Sequence, residues 1–429
     1  MHRKVKIITL GCAKNTVDSE KIAANIQNLH IPVQFCDSPQ EADTLIINTC
    51  GFILDAKQES IDTILEAIEL KKKQLIKNIF VTGCLSTRYF NELRKEIPEV
   101  DAYFTVHNFS TIIEKFKKNY AFDFNQQARM ISTPPHYAYL KIAEGCNRKC
   151  SFCAIPAIRG KYQSETIEHL VSEATNLAKS GVKELILIAQ DLTYYGKDIY
   201  KKSSLATLIN ELSNIEGIEW IRLHYTYPQF FTQELIETIA HNPKVCKYID
   251  IPIQHISDNM LKLMQRNTTA TQLKQLLYKL RKQVPGIHLR TTVLVGHPGE
   301  TKKDFDELIA FIKDFRFEKL GAFAYSHEEN TYADKHYKNS ITSKIKQQRL
   351  STIMQIQQEI TSNINSSFVG TYQKVIIDRK ENGYMIGRTQ YDSPEIDNEV
   401  LIKDTNKYRI GRFYNVKITD SYEFDLIGE

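Results

Sequence analysis

Hydrophobic and polar residues follow two different periods within the first 125 residues. Three apolar runs, VKIITLGC, ADTLIINTC and KNIFVTGC, each lead into a cysteine. Between the second and third runs, residues 55–73 carry apolar side chains at helical spacing, at Ile61, Ile64, Leu65 and Ile68. Strands that alternate with helices predict a parallel sheet covered on both faces. Residues 1–125 are therefore expected to form a three-layer α/β domain.

The strand-then-helix unit then repeats six times over residues 137–340, after a polar linker with two prolines at 126–136. The strand candidates are AYLKIAEGC, ELILIAQD, WIRLHYTYP, KYIDIPIQH, HLRTTVLVG and LGAFAYS. Six units predict an open (β/α)6 barrel, a partial TIM barrel whose chemistry collects at the C-terminal ends of the strands. Residues 341–364 are expected to form a connecting helix.

The last segment, 365–429, consists of short β-type runs separated by NG, SP and DN turn signals. This pattern predicts a small antiparallel β-barrel of about five strands. The whole chain is therefore expected to be an α/β protein of three domains, at 1–125, 137–364 and 365–429.

Composition narrows the class of protein. The 429 residues are 42% hydrophobic and 25% charged, as in a globular protein with sizeable cores. No apolar run approaches the roughly 18 residues of a membrane span, and the N-terminus lacks a cleavable signal pattern. We therefore expect a cytoplasmic protein without membrane contact. The net charge of +5 is too small to indicate nucleic-acid binding by itself.

Six of the eight cysteines form two groups, which points to metal chemistry rather than disulfides. The first group is the triplet Cys146, Cys150 and Cys153 in the run EGCNRKCSFC, directly after the first barrel strand. A four-iron cluster normally takes four thiolates, so three thiolates leave one iron open to a substrate or cofactor. The alternative is zinc, but zinc prefers four ligands in paired spacing, and no nearby partner completes such a set.

The second group is Cys12, Cys50 and Cys84, which are distant in sequence but share one local context. Each ends an apolar run beside a glycine, in LGC, TCG and TGC. Parallel strands present their C-terminal ends to one crevice, so three cysteines in this context can converge on a second cluster. Glycine allows the close backbone approach that this requires. The alternative is three independent core cysteines, the role expected for Cys36 and Cys246.

Polar residues at other strand ends are candidates for cofactor binding. Gln190, Asp191 and Thr193 follow the second barrel strand, Gln254 and His255 end the fourth, and Arg290 lies on the fifth. The turn VGHPGE places Gly296 and Gly299 between a strand and a helix, where backbone can approach a nucleoside. The alternative for the polar side chains is loop solvation or hydrogen bonding within the loop, and for the glycines a structural turn.

The cysteine triplet resembles that of the radical S-adenosylmethionine (SAM) superfamily. The resemblance implies that the open iron binds SAM and that reductive cleavage gives a 5′-deoxyadenosyl radical, which abstracts hydrogen from unactivated carbon. It also implies that Phe152 contacts the adenine; the alternative for Phe152 is loop packing.

Across nearly its whole length, the chain resembles the methylthiotransferases of that superfamily, which join a three-cysteine domain, a radical SAM barrel and a C-terminal TRAM barrel. One branch modifies a tRNA adenosine, and the other modifies the β-carbon of an aspartate in the twelfth small-subunit ribosomal protein. The stretches that resemble the second branch are LGCAKNTVDSE, AEGCNRKCSFCAIPAIRG, IRLHYTYP, LRTTVLVGHPGET, YSHEENT and GRTQYDSPEID. Three positions depart from the family pattern: Ala13 stands for proline, His297 for phenylalanine and Asn330 for glycine.

The resemblance implies two 4Fe-4S clusters and two SAM molecules with different roles. One SAM methylates a sulfur on the N-terminal cluster, and the other supplies the radical through which the carbon accepts the methylthio group. The implied partners are a basic ribosomal protein, free or on the ribosome, and an electron donor of flavodoxin or ferredoxin type. Nucleic acid enters only indirectly, through the ribosome.

Charge distribution gives a separate argument for a protein substrate. Residues 365–429 contain nine basic and eleven acidic residues, a net charge of −2, which leaves +7 for the remainder. An acidic barrel suits a basic protein better than RNA. The expected docking residues are Asp392, Glu395, Asp397 and Glu399, with a solvated turn as the alternative. The other hypotheses are a tRNA methylthiotransferase and a non-catalytic iron–sulfur protein that binds RNA.

Overall fold

The computed structural model describes residues 3–29, 31–117 and 124–429, which divide into two compact units. The first unit comprises residues 1–132, 144–148 and 153–163, and the second comprises 133–143, 149–152 and 164–429. Two stretches that follow the first barrel strand in sequence, one with Cys146 and one with Cys153, thus belong to the N-terminal unit.

The first unit is built on a five-stranded parallel sheet of order β2-β1-β3-β4-β5. Its strands are β1 Arg3–Thr9, β2 Val33–Phe35, β3 Thr44–Thr49, β4 Asn78–Gly83 and β5 Ala102–Tyr103. Its helices are α1 Ala13–Gln27, α2 Leu54–Lys72, α3 Cys84–Arg88, α4 Phe90–Glu96, α5 Ser110–Glu114 and α6 Ile155–Arg159. Strand β3 is buried along its whole length, because apolar clusters cover both faces of the sheet. The predicted three-layer fold is confirmed.

The second unit begins with a six-stranded parallel sheet of order β13-β12-β11-β10-β9-β6. Its strands are β6 Tyr137–Lys141, β9 Glu184–Ile188, β10 Trp220–Leu223, β11 Val245–Asp250, β12 His288–Val295 and β13 Lys319–Ala324; two short strands, β7 Ala143–Glu144 and β8 Gln163–Ser164, intervene in sequence. All six predicted barrel strands are present, so the open partial barrel is confirmed.

Helices follow the barrel strands as the sequence predicts. They are α7 Ile167–Lys179, α8 Leu205–Ser213, α9 Gln233–His241, α10 Asp258–Leu263, α11 Ala270–Gln283, α12 Lys302–Phe315, α13 Tyr332–His336 and the connecting helix α14 Ser343–Ser366. Polar side chains fix where these helices begin: Thr269 and Thr301 each form a capping box that binds otherwise unpaired backbone N–H groups.

The chain ends in a closed five-stranded barrel of order β14-β15-β16-β18-β17. Its strands are β14 Tyr372–Glu381, β15 Tyr384–Thr389, β16 Val400–Lys403, β17 Phe413–Ser421 and β18 Leu426–Gly428. The expected antiparallel pairing holds except between β16 and β18, which are parallel.

A segment of this C-terminal barrel, residues 389–398, contacts the six-stranded sheet; we call it the floor segment. Three strands, β6, β12 and β13, contribute their first residues to these contacts, so the segment lies at the N-terminal end of the sheet. The contacts include Arg222 to the Gln390 carbonyl, His288 stacked on Tyr391, Lys319 paired with Asp392, and Tyr248 bonded to Asp397. The C-terminal barrel thereby closes the end of the sheet opposite the cysteine loop.

Candidate active site

The three N-terminal cysteines lie at the carboxyl ends of adjacent parallel strands. Cys12 follows β1, Cys50 follows β3, and Cys84 begins α3 directly after β4. These strands are neighbours in the sheet, in the order β1-β3-β4. The geometry therefore brings the three thiols to one edge of the sheet, as the shared sequence context predicts.

The glycine beside each cysteine marks a point where these strand ends touch. A Cβ placed on Gly11 would lie 2.9 Å from Cys50 Sγ, and one on Gly51 would lie 2.7 Å from the Leu85 backbone. Gly83 has a φ of +99°, and a Cβ there would collide with the Thr49 backbone. The strand ends approach this closely only because no side chain intervenes.

The charge environment differs among the three thiols. Desolvation acts to raise the pKa of Cys12, but Lys14, Arg159 and two backbone N–H groups outweigh it, so the pKa lies below its usual value. Burial raises the pKa of Cys50, and it raises that of Cys84 to about 11. A charge on Cys12 raises the pKa of both Cys50 and Cys84, and a charge on Cys50 raises that of Cys84, which places the three thiols within electrostatic reach of one another.

Arg159, at the end of α6, is the basic group that contacts these cysteines. Its side chain is 2% exposed, and its Nε donates to Cys84 Sγ at 3.4 Å. Its Nη1 donates to Asp18 and to Glu144, both at 2.9 Å, and its Nη2 donates to Asn15. The two carboxylates raise the pKa of Arg159 despite desolvation, so the guanidinium is a permanent charge.

Two cysteines of the triplet, Cys146 and Cys153, belong to the same compact unit as Cys12, Cys50 and Cys84. Cys84 packs against Ala154 and Ile158, and Ala154 directly follows Cys153. Cys146 is buried, and its backbone N–H donates to the Gly160 carbonyl at 3.1 Å. The loop that carries Cys146 and Cys153 is thereby connected to the helix that packs on Cys84.

The remaining cysteine of the triplet, Cys150, contacts a second buried arginine. Arg266 Nη1 donates to Cys150 Sγ at 3.5 Å, its Nη2 donates to the Pro252 carbonyl, and its guanidinium lies 4.1 Å from the ring centroid of Tyr227. Both cysteine groups therefore have an arginine that donates to a sulfur, an arrangement that stabilises thiolates.

His297, which stands where the family shows phenylalanine, anchors the cysteine loop. Its Nδ1 lies 2.9 Å from the Pro298 carbonyl, which fixes that nitrogen as a donor and leaves Nε2 to accept from the Ser151 hydroxyl at 3.0 Å. Burial lowers the pKa of His297 to about 4, so the ring is neutral at pH 7. A phenylalanine could not make the bond to Ser151.

Phe152 is half-buried against an apolar cluster that includes Met260, Met264, Leu294 and Tyr325. This contact agrees with both the packing alternative and a position beside a cofactor.

The two glycines predicted to approach the cofactor are tightly packed. A Cβ on Gly296 would collide with Lys346, and one on Gly299 would lie 2.6 Å from Leu263 Cδ1. Both have positive φ. The packing explains these two glycines without a ligand.

The polar residues at the barrel strand ends are partly engaged with each other. Asp191 is buried and accepts from Thr193 at 2.8 Å, and Gln190 is half-buried beside it. Gln254 has a left-handed φ of 68°, and its backbone pairs with Thr292 and Leu294. His255 accepts from two backbone N–H groups through Nδ1, and Nε2 lies 3.4 Å from Glu300.

Arg290 is held between carboxylates. It donates to Asp250 at 3.2 Å and pairs with Asp397 of the floor segment at 3.4 Å. These two ion pairs account for its position without a cofactor.

The predicted docking residues have unequal access to solvent. Asp392 is buried and paired with Lys319 at 2.7 Å, and the Asp397 side chain is 3% exposed. Glu395 is exposed, although it accepts from Tyr137, and Glu399 pairs with Arg379 on the surface. Asp392 and Asp397 cannot dock a partner while they hold the floor segment, so that expectation is corrected for these two residues.

The surface of the C-terminal barrel also lacks the acidic excess that the composition of residues 365–429 predicts. Asp378, Asp392 and Asp397 have side chains at most 10% exposed, and all three are in ion pairs. Without these carboxylates and the buried Arg388, residues 365–429 carry eight acidic and eight basic residues. The outer surface of the C-terminal barrel is therefore neutral rather than acidic.

Sequence reasoning missed the two arginines that contact the cysteines. Arg159 lies six residues after Cys153, in a run noted only for its resemblance, and Arg266 lies in a polar stretch with no motif. A basic residue soon after a cysteine triplet was an available signal for Arg159. Arg266 had none, because the fold alone brings it to Cys150.

The donor set fits iron–sulfur clusters. Glycine gaps lie beside Cys12, Cys50 and Cys84, and a buried arginine donates to a sulfur of each group. Of the six cysteines, Cys84 and Cys146 are buried. In the described part of the chain, no three His, Cys, Asp or Glu side chains surround a single ion. A four-iron cluster bonds each thiolate to a different iron, so its ligands stand farther apart than those of one ion.

A parallel partial barrel with three closely spaced cysteines after its first strand defines a radical SAM protein. The Radical SAM superfamily model matches residues 140–312, that of Uncharacterized protein family UPF0004 matches 4–105, and a TRAM domain model matches 369–429. The solved structure of the radical SAM methyltransferase TsrM from Kitasatospora setae is similar in fold: TM-score 0.56, 12% identity, 96% of this chain and 84% of that chain.

Curated relatives identify the family within this class. The ribosomal protein uS12 methylthiotransferase RimO of Cytophaga hutchinsonii is 50% identical over 99% of this chain and 97% of its own length. The protein of the same name from Bacteroides fragilis is 50% identical over 100% of both chains. This chain belongs to the family of ribosomal protein uS12 methylthiotransferases. As a radical SAM enzyme it uses an iron–sulfur cluster and SAM.

No helix in the described ranges is long and apolar enough to cross a membrane.

Proposed function

We propose that this enzyme adds a methylthio group to the β-carbon of an aspartate in ribosomal protein uS12, with two 4Fe-4S clusters and two SAM molecules. The observation that carries the proposal is the proximity of the two cysteine groups, since Cys84 packs on the residue that follows Cys153. Attachment of sulfur to carbon requires the sulfur donor and the carbon radical at one place. The names of the relatives support the choice of uS12.

In this proposal Cys146, Cys150 and Cys153 hold the cluster that binds SAM. When bound, that cluster supplies the electron that splits SAM into methionine and a carbon radical able to remove an unactivated hydrogen. The chain's own residues keep the cysteine loop in place: Arg266 donates to Cys150, and His297 accepts from Ser151. Phe152 is proposed to line the cofactor site, with Gln190, Asp191 and Gln254 at the neighbouring strand ends.

Cys12, Cys50 and Cys84 are proposed to hold the second cluster, whose open iron would carry the sulfur that a SAM molecule methylates. The three glycine gaps leave room for the sulfurs to converge, and Arg159 supplies a positive charge beside them. Residues 1–125 would bind this cluster, 137–364 would form the radical barrel, and 365–429 would contribute to docking. Glu395 and Glu399 remain the docking candidates, because their carboxylates reach the surface.

The proposed partners follow from this chemistry. An electron must be supplied for each SAM cleavage, which suits a flavodoxin or a ferredoxin. The substrate is uS12, free or within the ribosome, so nucleic acid would be met only indirectly. Ribosomal proteins are made and assembled in the cytoplasm, and we propose that the enzyme works there.

Two cysteine variants test the separate roles proposed for the two clusters. Cys150→Ala should abolish production of 5′-deoxyadenosine while the N-terminal cluster remains, and Cys50→Ala should still cleave SAM but attach no sulfur. Iron and sulfide analysis, SAM cleavage assays and mass spectrometry of uS12 measure these outcomes. Cys246→Ala is the control, because this buried cysteine lies in neither group. Methylthiolation by Cys50→Ala, or methylthiolated tRNA nucleosides in place of modified uS12, would contradict the proposal.

A further inference from the structure

Arg159 has a geometry that an ordinary structural ion pair does not require. Its Nε–H is directed at Cys84 Sγ, while its other nitrogens bond to Asp18, Glu144 and Asn15. A planar guanidinium with partners on three sides has one orientation, so the N–H that faces the sulfur is fixed.

The partner Asn15 is itself held rigidly at the strand ends. Its Nδ2 donates to the Leu10 carbonyl at 2.7 Å and to the Thr49 carbonyl at 3.1 Å. These carbonyls are close to Cys12 and Cys50 in sequence, so one side chain connects both cysteine loops to the arginine. The position of Arg159 is thereby coupled to the N-terminal cysteines rather than to the sheet in general.

A buried cation with an N–H directed at a thiolate has a specific effect on an iron–sulfur cluster. Reduction adds a negative charge, and the potential of such clusters depends on net charge and on hydrogen bonds to sulfur. Both influences of Arg159 favour the reduced, more negative state, and burial keeps water from screening them. They also lower the cost of holding an additional anionic sulfur ligand.

We propose that Arg159 is a positioning residue that raises the reduction potential of the N-terminal cluster. The inference rests on the proposed function, since it requires a cluster at Cys12, Cys50 and Cys84. Arg159 lies outside residues 1–125, yet it would control the reduction potential of the cluster that those residues bind.

The test uses the full-length chain with Cys146, Cys150 and Cys153 changed to alanine, so that only the N-terminal cluster is assembled. Potentiometric titration followed by electron paramagnetic resonance measures the fraction of reduced cluster. In Arg159→Met, the ratio of reduced to oxidised cluster at a fixed potential should fall at least tenfold, which is about 59 mV for one electron. In Arg159→Lys this ratio should lie between that of Arg159→Met and that of the chain that retains Arg159, because lysine keeps the positive charge but lacks the planar guanidinium.

Asp18→Asn gives a prediction of opposite sign. It removes a carboxylate that partly neutralises Arg159, so the potential should rise. This variant, together with Arg159→Lys, carries the test if Arg159→Met fails to assemble a cluster.

The matched control is Arg129→Met. Arg129 is a similarly buried arginine of the same unit, but it is paired with Glu20 on α1, two residues beyond Asp18. An unchanged potential in Arg159→Met, or an equal shift in Arg129→Met, would overturn the inference while leaving the two-cluster proposal in place. Absence of any iron–sulfur signal in the parent triple-alanine chain would instead refute the second cluster and the inference with it.

Discussion

At the scale of single residues, the N-terminal site depends on glycine as much as on cysteine. Gly83 has φ +99° and ψ −166°, a region that residues with a Cβ essentially do not occupy, and its neighbours leave no space for a Cβ. Gly83→Ala should therefore destabilise the N-terminal unit by about 3 kcal/mol or more, from strain and steric collision together. Thermal unfolding of the cluster-free protein, followed by circular dichroism, measures this.

Gly181→Ala is the control for Gly83→Ala. Gly181 also has a positive φ, of +107°, but no atom lies within 4 Å of a Cβ placed there. The control should cost only the conformational strain, about 1 kcal/mol. Equal losses in the two variants would show that close approach at Gly83 is unimportant.

His288 should make the stability of the second unit depend on pH. Desolvation, aided by Lys319, lowers the pKa of His288 to about 3. In the unfolded chain His288 binds a proton near pH 6.5, whereas in the folded chain it does so only near pH 3. The contribution of neutral His288 to folding stability is therefore complete above pH 6.5 and falls as the pH drops towards 3. The slope should be about 1.4 kcal/mol per pH unit.

His288→Phe keeps an aromatic ring against Tyr391 and should remove this slope from denaturant unfolding measured between pH 6.5 and 4.5. The exposed His241 serves as the control: His241→Gln should leave the pH dependence as it is. A slope that persists in His288→Phe would assign the effect to other groups.

At the scale of elements, a buried charge network attaches the C-terminal barrel to the parallel sheet. Glu184, the first residue of β9, is fully buried and accepts from Arg222 and Arg388, both at 2.7 Å. The two arginines outweigh desolvation and lower the pKa of Glu184. Glu184→Gln leaves two buried cations short of a partner and should cost about 3–5 kcal/mol.

Glu219→Gln is the matched control, because Glu219 pairs with Lys374 at the surface. An exposed pair of this kind contributes about 0–1 kcal/mol. Denaturant unfolding compares the two variants, and a loss as small in Glu184→Gln as in the control would contradict a stabilising role for the network.

The sequence pattern predicted the types of these elements better than their contacts. Apolar runs located every strand of the six-stranded sheet, because burial on both faces leaves an unbroken hydrophobic signal. Strand β18 has only three residues, too few to show a β-type pattern, and its parallel pairing with β16 depends on residues far away in sequence. Leu65 shared the helical spacing of α2, yet it is 46% exposed, since the spacing alone does not show which positions another element covers.

At the scale of the whole molecule, the second unit is one compact body that includes both barrels. A chain that ends at Ser366 lacks the floor segment, and it removes the partners that the C-terminal barrel supplies to Glu184, Arg222 and Lys319. We expect this truncated chain to lose its fixed tertiary structure, measured as loss of near-ultraviolet circular dichroism and of soluble yield.

The control for truncation is the full-length variant Arg379→Ala, which changes an exposed side chain of β14 that pairs with surface carboxylates. It should remain soluble and folded. A truncated chain that folds as well as this variant would show that the C-terminal barrel is an independent module.

The sequence by itself determined the fold class and the cysteine sets, because burial on both faces of a sheet and the spacing of metal ligands are local patterns. Only the tertiary structure decided the roles of charged residues. The stretch DSPEIDNE has the composition of an exposed acidic turn, yet Asp392 and Asp397 are buried in ion pairs with Lys319 and Arg290. Arg159 likewise meets Asp18 and Cys84 across more than 70 residues of sequence. A charged side chain becomes buried only where the fold brings its partner to it, and that partner is not encoded nearby.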